Sequence, residues 1–343
     1  MFKKMTLIGT LVLSLGIGIS SASAATDQPL KITVTGAGVK GYYKVIVDEM
    51  DSVLRAAYPG SAITFLPTSP AGGLATIARG GANISIAAGA PEVLYASEGH
   101  PPFPSPLRNK LTWVMRLHDA QPIYMLANKA WAKENGVGSF ADIARKHIGA
   151  RIALNNQGNM QITLIDEEIL KSYGITLQKL RSWGGSVSWV PSGTGLQELQ
   201  DRKVDVFMNA RFIPDATVEY LSRTMGLTWV HASQAKLQKI ADRWGYEVKI
   251  LPKATYPSIL PQNEPYINEW SGMLAGANTP PQVVYKLCRA LLSKNGINAL
   301  RGITPAMRNF GPKNVAVVPK VAPPLNAGAS RCFAALGVKP IYQ

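Results

Sequence analysis

The positions best suited to bind a ligand carry glycine, hydroxyl and amide groups rather than acids. Gly36, Gly38 and Gly41 form a G-x-G-x-x-G pattern between a predicted strand and a predicted helix. Glycines let the backbone approach a ligand, and a helix N-terminus offers unpaired N–H groups and a partial positive charge. The pattern therefore predicts a loop that can hold a carboxylate, with Gly38 as a ligand-binding position.

Dinucleotide-binding loops have the same glycine spacing. In those proteins the following strand ends in an acidic residue that binds the ribose hydroxyls. Here the following strand ends in Leu66-Pro67-Thr68, with no acid. We therefore expect no nicotinamide and no other cofactor.

Two further loops join a strand to a helix and carry side chains that can bind a small solute. They span residues 68–73 and 155–163, and their candidate ligand-binding residues are Thr68, Ser69, Asn155, Gln157, Asn159 and Thr163. The hydroxyl groups can donate to a carboxylate, or they can cap the following helix. The amide groups can bind a ligand, or they can only shape a turn. Each loop taken alone is an ordinary connection, but all three can converge on one cleft.

Tyrosines add further candidates at the edge of the same cleft. Tyr42 and Tyr43 stand at the start of the first predicted helix. One hydroxyl can reach the cleft while the other ring packs into the core, and we favour Tyr42 as the ligand contact. Tyr256, in a threonine-tyrosine-proline turn, is expected to line the cleft as well.

Arg211 is the strongest charged candidate. It follows the apolar strand at 204–209, where the chain should meet the cleft. A guanidinium can hold a carboxylate through two parallel hydrogen bonds. Alternatively, Arg211 pairs with Asp215 at the surface. Arg116 and His118 are weaker candidates of the same kind.

Motifs for catalysis or metal binding are missing from the sequence. The histidines at 100, 118, 147 and 231 do not have metal-ligand spacing, and there is no G-x-S-x-G, no C-x-x-C and no clustered carboxylate pair. These motifs mark hydrolases, redox proteins and metal sites. We therefore predict that the protein is not an enzyme and holds no metal.

Strands, loops and helices alternate along the chain, which predicts an α/β fold with mainly parallel sheets. The mature chain exceeds what one core usually supports, so two lobes are expected. The main predicted elements are strands at 31–35, 62–66, 84–88, 111–117, 123–127, 151–154, 204–209, 248–251 and 273–275, and helices at 43–57, 74–78, 140–144, 161–173, 195–201, 282–293 and 327–336.

The first 24 residues have the composition of a cleavable signal peptide. Lys3 and Lys4 precede an apolar run at 7–19, and Ala22-Ser23-Ala24 supplies the small residues of a cleavage site. The cleavage region has no cysteine for lipid attachment. We therefore expect a mature protein in the periplasm without a lipid anchor.

The mature part contains two cysteines, Cys288 and Cys332. Oxidation is permitted in the periplasm, so they can form a disulfide between two C-terminal helices. They can equally remain two separately buried thiols.

The formal net charge of +15 falls to +13 when Lys3 and Lys4 are removed with the signal peptide. The basic residues are scattered, and no aromatic-basic motif of a nucleic-acid module is present. We predict a solvated basic surface and no nucleic-acid partner. Such a surface favours the approach of anionic solutes.

Several short motifs follow one another in a characteristic order. They are Thr35-Gly36-Ala37-Gly38 with Gly41-Tyr42-Tyr43, the segment 74–87, the segment 198–207, Thr255-Tyr256-Pro257 and Pro324-Leu325-Asn326-Ala327-Gly328-Ala329. Their order and spacing resemble the TAXI family, the solute receptors of one class of TRAP transporter. Asn326 and Ala327 replace the usual histidine and proline of the last motif. The loop at 155–163 departs from the family's G-S-G-T loop, because amides replace glycines and serine.

The resemblance implies a type II periplasmic-binding-protein fold, with two α/β lobes that close over a ligand. It implies a first lobe of residues 25–118 and 213–343, a second lobe of residues 119–212, and crossings near 118–122 and 209–214. The implied ligand is a small anionic or zwitterionic solute, such as a dicarboxylate or glutamate. The implied partner is a TRAP-type membrane permease, and we expect a monomer.

Two other functions use the same scaffold. A periplasmic enzyme would need a general acid or base in the cleft, and the three candidate loops contain no Asp, Glu or His. An orphan receptor that presents its ligand to a membrane sensor would use the same binding chemistry as a transport receptor.

Overall fold

The computed structural model describes residues 28–38, 42–67 and 71–343, so the predicted signal peptide lies outside the described residues. The strands are β1 (Lys31–Thr35), β2 (Ala62–Phe65), β3 (Ile84–Ala88), β4 (Leu111–Asn128), β5 (Arg151–Leu154), β6 (Ser186–Trp189), β7 (Val206–Ala210), β8 (Leu227–Trp229), β9 (Glu247–Leu251), β10 (Glu264–Gly276), β11 (Val317–Val318) and β12 (Ile341–Tyr342). The helices are α1 (Tyr42–Ala57), α2 (Leu74–Ala78), α3 (Ala90–Glu98), α4 (Lys129–Glu134), α5 (Phe140–Lys146), α6 (Met160–Ser172), α7 (Leu177–Ser182), α8 (Ser192–Gln200), α9 (Ala216–Thr224), α10 (Gln234–Trp244), α11 (Pro281–Leu291), α12 (Lys294–Ile303), α13 (Pro312–Val315) and α14 (Ala327–Ala335). Short 3-10 turns lie at Ala71–Gly73, Arg108–Lys110, Lys253–Thr255 and Pro305–Met307.

The fold has two spatial halves, each built on its own sheet. The sheet of the first half has the strand order β2-β1-β3-β10-β4. β1 pairs in parallel with β2 and β3, whereas β10 is antiparallel to both β3 and β4. The central strands are rich in Ile, Val and Thr, whose branched side chains suit a pleated surface. Parallel strands place their carboxyl ends at one edge, so the loops after β1, β2 and β3 gather there.

The second half is built on the order β8-β4-β7-β5-β6. β5 is parallel to β6 and β7, and the final part of β4 runs antiparallel to β7 from Ile123 to Ala127. The α/β fold predicted from the alternation of elements is confirmed. The sheets are mixed rather than mainly parallel, because β10 pairs antiparallel with β3, β4 and β9, and β4 pairs antiparallel with β7 and β8.

β4 is one strand of 18 residues that belongs to both sheets. The sequence predicted two strands, at 111–117 and 123–127, because the polar residues between them resemble a loop. In the structure those residues continue the strand: His118, Gln121 and Pro122 pair with β10, and Ile123 begins the pairing with β7. The polar segment is therefore the place where the chain passes from one sheet to the other.

The segment after β7 leads through β8 and β9 to β10. After β7 the chain contributes one more strand to the second sheet, because β8 pairs with Leu126–Asn128 of β4. β9 then pairs antiparallel with the start of β10, and β10 pairs with β4 from Asn268 and with β3 from Gly272. The division into lobes at 118/119 and 212/213 stays a prediction.

Two apolar clusters form the interior. One lies between the first sheet and α1, α11, α12 and α14, and the other extends from α2 and α3 through β4 into the second half. Cys288 on α11 and Cys332 on α14 form a disulfide inside the first cluster, with their Cα atoms 6.2 Å apart. Of the two alternatives that the sequence left open, the structure contains the disulfide. No helix in the described ranges is both long and apolar enough to cross a membrane.

Candidate functional site

The glycine loop after β1 packs on the turn that precedes α2. Gly36 has a φ of 110°, and a Cβ atom there would lie 2.7 Å from the carbonyl oxygen of Gly72. The same carbonyl accepts a hydrogen bond from Ser85 Oγ. The missing side chains thus let two backbone segments meet at the carboxyl edge of the first sheet. Gly38 is exposed, and a Cβ atom there would meet nothing within 4 Å.

Three of the predicted contacts near this edge are not located. Thr68 and Ser69 lie outside the described residues, as does the side chain of Tyr42, which begins α1. The neighbouring Tyr43 is described: its hydroxyl lies 3.2 Å from His118 Nε2 and donates to Gln121 Oε1 at 3.4 Å. Tyr43, which the sequence placed in the core, therefore contacts the polar segment of β4.

The loop at 155–163 turns two of its predicted contacts inward. Asn155 is buried, and its Nδ2 donates to Asn209 Oδ1 at 3.0 Å while its Oδ1 accepts from the backbone N–H of Asn156. Thr163 Oγ1 donates to the carbonyl of Asn156 at 3.1 Å. These two side chains hold the loop in shape, which is the alternative that the sequence left open.

The remaining polar side chains of that loop face outward. Gln157 is exposed and Asn159 is half-buried, and Asn159 makes no side-chain cap of α6. Between them, the carbonyl of Gly158 accepts a hydrogen bond from the backbone N–H of Ala71 at 3.0 Å. The loop after β5 and the turn after β2 therefore touch, which brings the carboxyl edges of the two sheets together.

Arg211 forms the ion pair with Asp215. Its Nη2 lies 2.6 Å from Asp215 Oδ2, and both side chains are largely buried. Tyr256 is buried beside this pair, where its hydroxyl accepts from the backbone N–H of Asp215 and lies 2.8 Å from the hydroxyl of Tyr124. The structure thus engages Arg211 and Tyr256 in contacts within the protein.

The two weaker candidates, Arg116 and His118, also contact other residues of the protein. Arg116 donates from Nε to Asn314 Oδ1 at 2.9 Å and lies 3.5 Å from Asp119. His118 is buried, and burial lowers its pKa to about 4, so the imidazole is neutral at physiological pH. A neutral His118 can exchange hydrogen bonds with the Tyr43 hydroxyl but brings no positive charge.

Gln161, which the sequence analysis did not select, joins α6 to both α3 and β10. Its backbone N–H donates to Glu92 Oε1 at 2.5 Å, and its Nε2 donates to the carbonyl of Trp270 at 2.9 Å. Its side chain lies over Gly89, where a Cβ atom would be 2.3 Å from Gln161 Cδ. Nearby, the backbone N–H of Ala90 donates to the Tyr246 hydroxyl. We call this junction of α3, α6 and β10 the seam.

The seam contains three fully buried carboxyl groups, from Glu92, Asp166 and Glu269. Five of their six oxygens have no hydrogen-bond partner among the residues that the structure describes. The sequence shows no clustered carboxylate pair, because these acids belong to three separate elements that meet only in the fold. A signal was present at Asp166, since it occupies the apolar face of α6 with Ile162, Ile165 and Ile169.

Burial changes the acidity of all three groups. Burial raises the pKa of Glu92 to about 7, although backbone N–H groups of Glu92, Gln161 and Gly89 act in the other direction. Burial also raises the pKa of Asp166 well above its usual range. Burial, followed by the charges of Asp166 and Glu92, does the same to the pKa of Glu269. The carboxyl groups therefore favour their neutral, protonated form.

One buried donor at the edge of the second sheet is also unpaired. Asn209 stands near the end of β7 and is fully buried, and its Nδ2 has no acceptor within the described part of the chain. Its Oδ1 is taken by Asn155 at the end of β5. No group of three or more His, Cys, Asp or Glu side chains in the described ranges is arranged to hold a metal ion.

Comparison with known proteins identifies the family. The model of the NMT1-like family matches residues 36–337. The chain belongs to the NMT1-like family. A comparison with curated protein sequences gives no match.

Similar solved structures show which fold this chain adopts. The periplasmic binding protein BugD is 13% identical, with a TM-score of 0.50, and the match covers 92% of this chain and 99% of BugD. Rpa4515 of R. palustris, solved with adipate, is 16% identical, with a TM-score of 0.50 and coverage of 92% and 100%. PhnD1 of Prochlorococcus marinus, in complex with methylphosphonate, is 11% identical, with a TM-score of 0.50 and coverage of 82% and 89%. The chain therefore has the fold of a periplasmic solute-binding protein.

Proposed function

We propose that this protein captures a small organic acid, either a dicarboxylate or an amino acid such as glutamate, in the periplasm and delivers it to a TRAP-type permease. The observation that carries the proposal is the contact between the loops at the carboxyl edges of two sheets that share β4. Two halves joined by continuous strands can close on a ligand by a hinge motion. The order of motifs that resembles the TAXI family supports a transport receptor of this type.

The disulfide supports the proposed location. Disulfides persist in oxidising compartments such as the periplasm and are rare in the cytosol. Cys288 and Cys332 are paired and buried, so the bond belongs to the folded core. We propose that the protein works there as a monomer.

The donors for an anionic ligand are proposed at the facing strand ends. The buried Nδ2 of Asn209 needs an acceptor, because an unpaired buried donor costs about 1–3 kcal/mol. A ligand carboxylate can supply that acceptor. We propose that Asn209 acts together with the predicted positions Gly38, Tyr42, Thr68, Ser69, Gln157 and Asn159.

The other four predicted ligand-binding residues form hydrogen bonds or ion pairs within the protein. Asn155 and Thr163 support the loop, and Arg211 and Tyr256 support the start of α9. We propose that they position the ligand-binding groups, and that direct contact by Arg211 would require it to leave Asp215.

The first experiment is thermal melting of the purified mature chain with a panel of dicarboxylates and amino acids. A ligand present at a hundred times its Kd should stabilise the folded protein by about 2.7 kcal/mol and raise the melting temperature. Asn209→Ala should weaken the binding of any ligand found, whereas the exposed Asn295→Ala should not. A panel in which no solute raises the melting temperature would contradict the capture of organic acids.

Delivery to a permease needs its own measurement. Vesicles that contain a TRAP-type permease from the same organism should accumulate the ligand only when the loaded protein is added outside. Binding without such uptake would favour a receptor that reports to a membrane sensor.

A second candidate function is a periplasmic enzyme on the same scaffold, and one observation favours it. A general acid or base works best when its pKa lies near the operating pH. Burial raises the pKa of Glu92 to about 7. Incubation of the protein with its ligand, followed by NMR of the small molecule, distinguishes the two functions: unchanged ligand supports binding alone, and a new product supports catalysis that Glu92→Gln should abolish.

A further inference from the structure

The seam joins the two halves through hydrogen bonds that involve an ionisable group. Glu92 lies on α3 beside the first sheet, and its Oε1 accepts from the backbone N–H of Gln161 on α6 of the second half. The same Gln161 reaches the carbonyl of Trp270 on β10. The contact exists only when the halves are docked, and docking removes the Glu92 carboxyl from water.

The other two acids of the seam come from the two elements that face Glu92. Asp166 belongs to α6 and Glu269 to β10, and both are fully buried. No lysine or arginine in the described ranges forms an ion pair with either of them or with Glu92. Burying an unpaired charge is costly, so such a group takes up a proton instead.

Four further titratable groups surround the seam. Tyr246 precedes β9, Tyr43 belongs to α1, His118 to β4, and Glu167 follows Asp166 on the α6 helix. Tyr246 is buried, and burial raises its pKa, so its hydroxyl is neutral. Burial lowers the pKa of His118, so the imidazole is neutral as well.

Two basic side chains of the packed elements pair with other acids: Arg243 of α10 lies 3.0 Å from Glu168 of α6, and Arg116 of β4 lies 3.5 Å from Asp119. Arg108 and Lys110 are exposed in the 3-10 turn, which is fixed to α3 by the bond from the Leu107 N–H to the Ala96 carbonyl. None of these basic side chains forms an ion pair with the three carboxyl groups. Protons are then the cations that neutralise them.

We propose that docking of the two halves is coupled to proton uptake by the carboxyl groups of the seam, so that acidic conditions favour the docked form and alkaline conditions favour its opening. Opening hydrates Glu92, Asp166 and Glu269, which then ionise. The docking equilibrium would fall up to about tenfold per pH unit for each group that is ionised when open and protonated when docked. For Glu92 alone, this amounts to a change on the order of a hundredfold between pH 5 and pH 8.

This inference goes beyond the proposed function and is tested without ligand. Small-angle X-ray scattering of the mature protein at pH 5.5 and pH 8 should give a larger radius of gyration at the higher pH. Glu92→Gln, which keeps an acceptor oxygen but cannot ionise, should shrink this difference. Glu92→Gln combined with Glu269→Gln should shrink it further and leave only the part due to Asp166. Glu134→Gln, on the exposed surface of α4, should behave like the unmodified protein.

Two results would overturn the proposal. One is a radius of gyration that is the same at both pH values in the unmodified protein, and the other is a pH response in the folded Glu92→Gln variant that is as large as in the unmodified protein. A second measurement needs no variant: infrared spectra at pH 6.5 should show the carbonyl band of protonated carboxyl groups, and its absence also overturns the proposal. Either failure leaves the binding of an organic acid standing, because that function is measured by ligand-induced melting.

Discussion

The guanidinium of Arg211 lies against a single oxygen of Asp215, with Nε at 2.7 Å and Nη2 at 2.6 Å from Oδ2. The other oxygen, Oδ1, accepts from the backbone N–H of Val218 and caps α9. The backbone N–H of Asp215 in turn donates to the Tyr256 hydroxyl. One aspartate therefore fixes a loop, a helix start and a buried tyrosine together.

We expect Asp215→Ala to lower the free energy of unfolding by about 2 kcal/mol, since the helix cap contributes about 1 kcal/mol and the partly buried ion pair a similar amount. Arg211→Ala should cost about 1 kcal/mol, because the cap remains. Asp215→Asn keeps the capping oxygen and should resemble Arg211→Ala. Urea unfolding of the two alanine variants and their combination measures the coupling energy. A coupling energy near zero would show that the pair makes no net contribution.

Glu92 should make the stability of the protein depend on pH. Burial raises its pKa from an ordinary 4.5 to about 7. Because the folded state holds this proton more tightly than the unfolded state, its stabilising contribution is complete below about pH 4.5 and is lost as the pH rises through 7. The loss amounts to about 3 kcal/mol. Urea unfolding should therefore find Glu92→Gln similar to the unmodified protein at pH 5 and more stable than it at pH 8.

The lowered pKa of His118 changes the stability with pH in the opposite direction to Glu92. The unmodified protein and Glu92→Gln must therefore be compared at the same pH. Burial lowers the pKa of His118 from 6.5 to about 4, so protonation of the unfolded state costs stability as the pH falls between these values. The two groups offset one another in the unmodified protein. Comparing it with Glu92→Gln at the same pH removes the contribution of His118, and a difference that does not change with pH would contradict the assignment to Glu92.

The disulfide should contribute substantially to stability. It closes a loop with a sequence separation of 44 residues, for which the chain-entropy model gives about 4 kcal/mol. The double variant Cys288→Ala with Cys332→Ala should lose this amount in urea unfolding. Reduction of the unmodified protein with dithiothreitol supplies the comparison, because it leaves both sulfur atoms in the core. A loss below about 1 kcal/mol in both experiments would contradict the prediction.

A side chain at position 89, in place of Gly89, should destabilise the protein. A Cβ atom at this position would lie 2.3 Å from Gln161 Cδ, so Gly89→Ala must displace Gln161 and break its bond to the Trp270 carbonyl. We expect a loss of about 1–3 kcal/mol in the free energy of unfolding. Adding Gln161→Ala should recover part of it, because the clash is then absent.

The matched control is Gly193→Ala on α8, where a Cβ atom would meet nothing within 4 Å. Alanine favours a helix over glycine by about 0.5–1 kcal/mol, so this variant should be neutral or slightly stabilised. Equal effects of the two substitutions would mean that the contact between Gly89 and Gln161 is not tight.

The local elements could largely be predicted from sequence, and the reason is visible at β1 and β3. Both predicted ranges, 31–35 and 84–88, agree with the structure. Their branched apolar residues and flanking turns are local signals. α3 was not predicted, because its Ala- and Ser-containing segment Ala90–Glu98 lacks a clear apolar period, although Pro91 and Gly99 mark its ends.

The site was harder to predict, because its contacts join distant parts of the chain. The pairing of Arg211 with Asp215 spans four residues and could be foreseen as an alternative. The meeting of Glu92, Asp166 and Glu269 could not, since it requires the docking of α3 and α6 against β10. Only the position of Asp166 among apolar residues of α6 indicated a buried acid.

The position of β10 within the first sheet also determines when that sheet can form. β10 lies between β3 and β4, and its last residue is Gly276, far along the chain from Leu111 where β4 begins. A growing chain that has completed β4 still lacks the strand that must separate β3 from β4. Contacts between such distant residues form slowly. The first sheet therefore stays incomplete until about four fifths of the chain has been made, although the strands of its N-terminal part are already present.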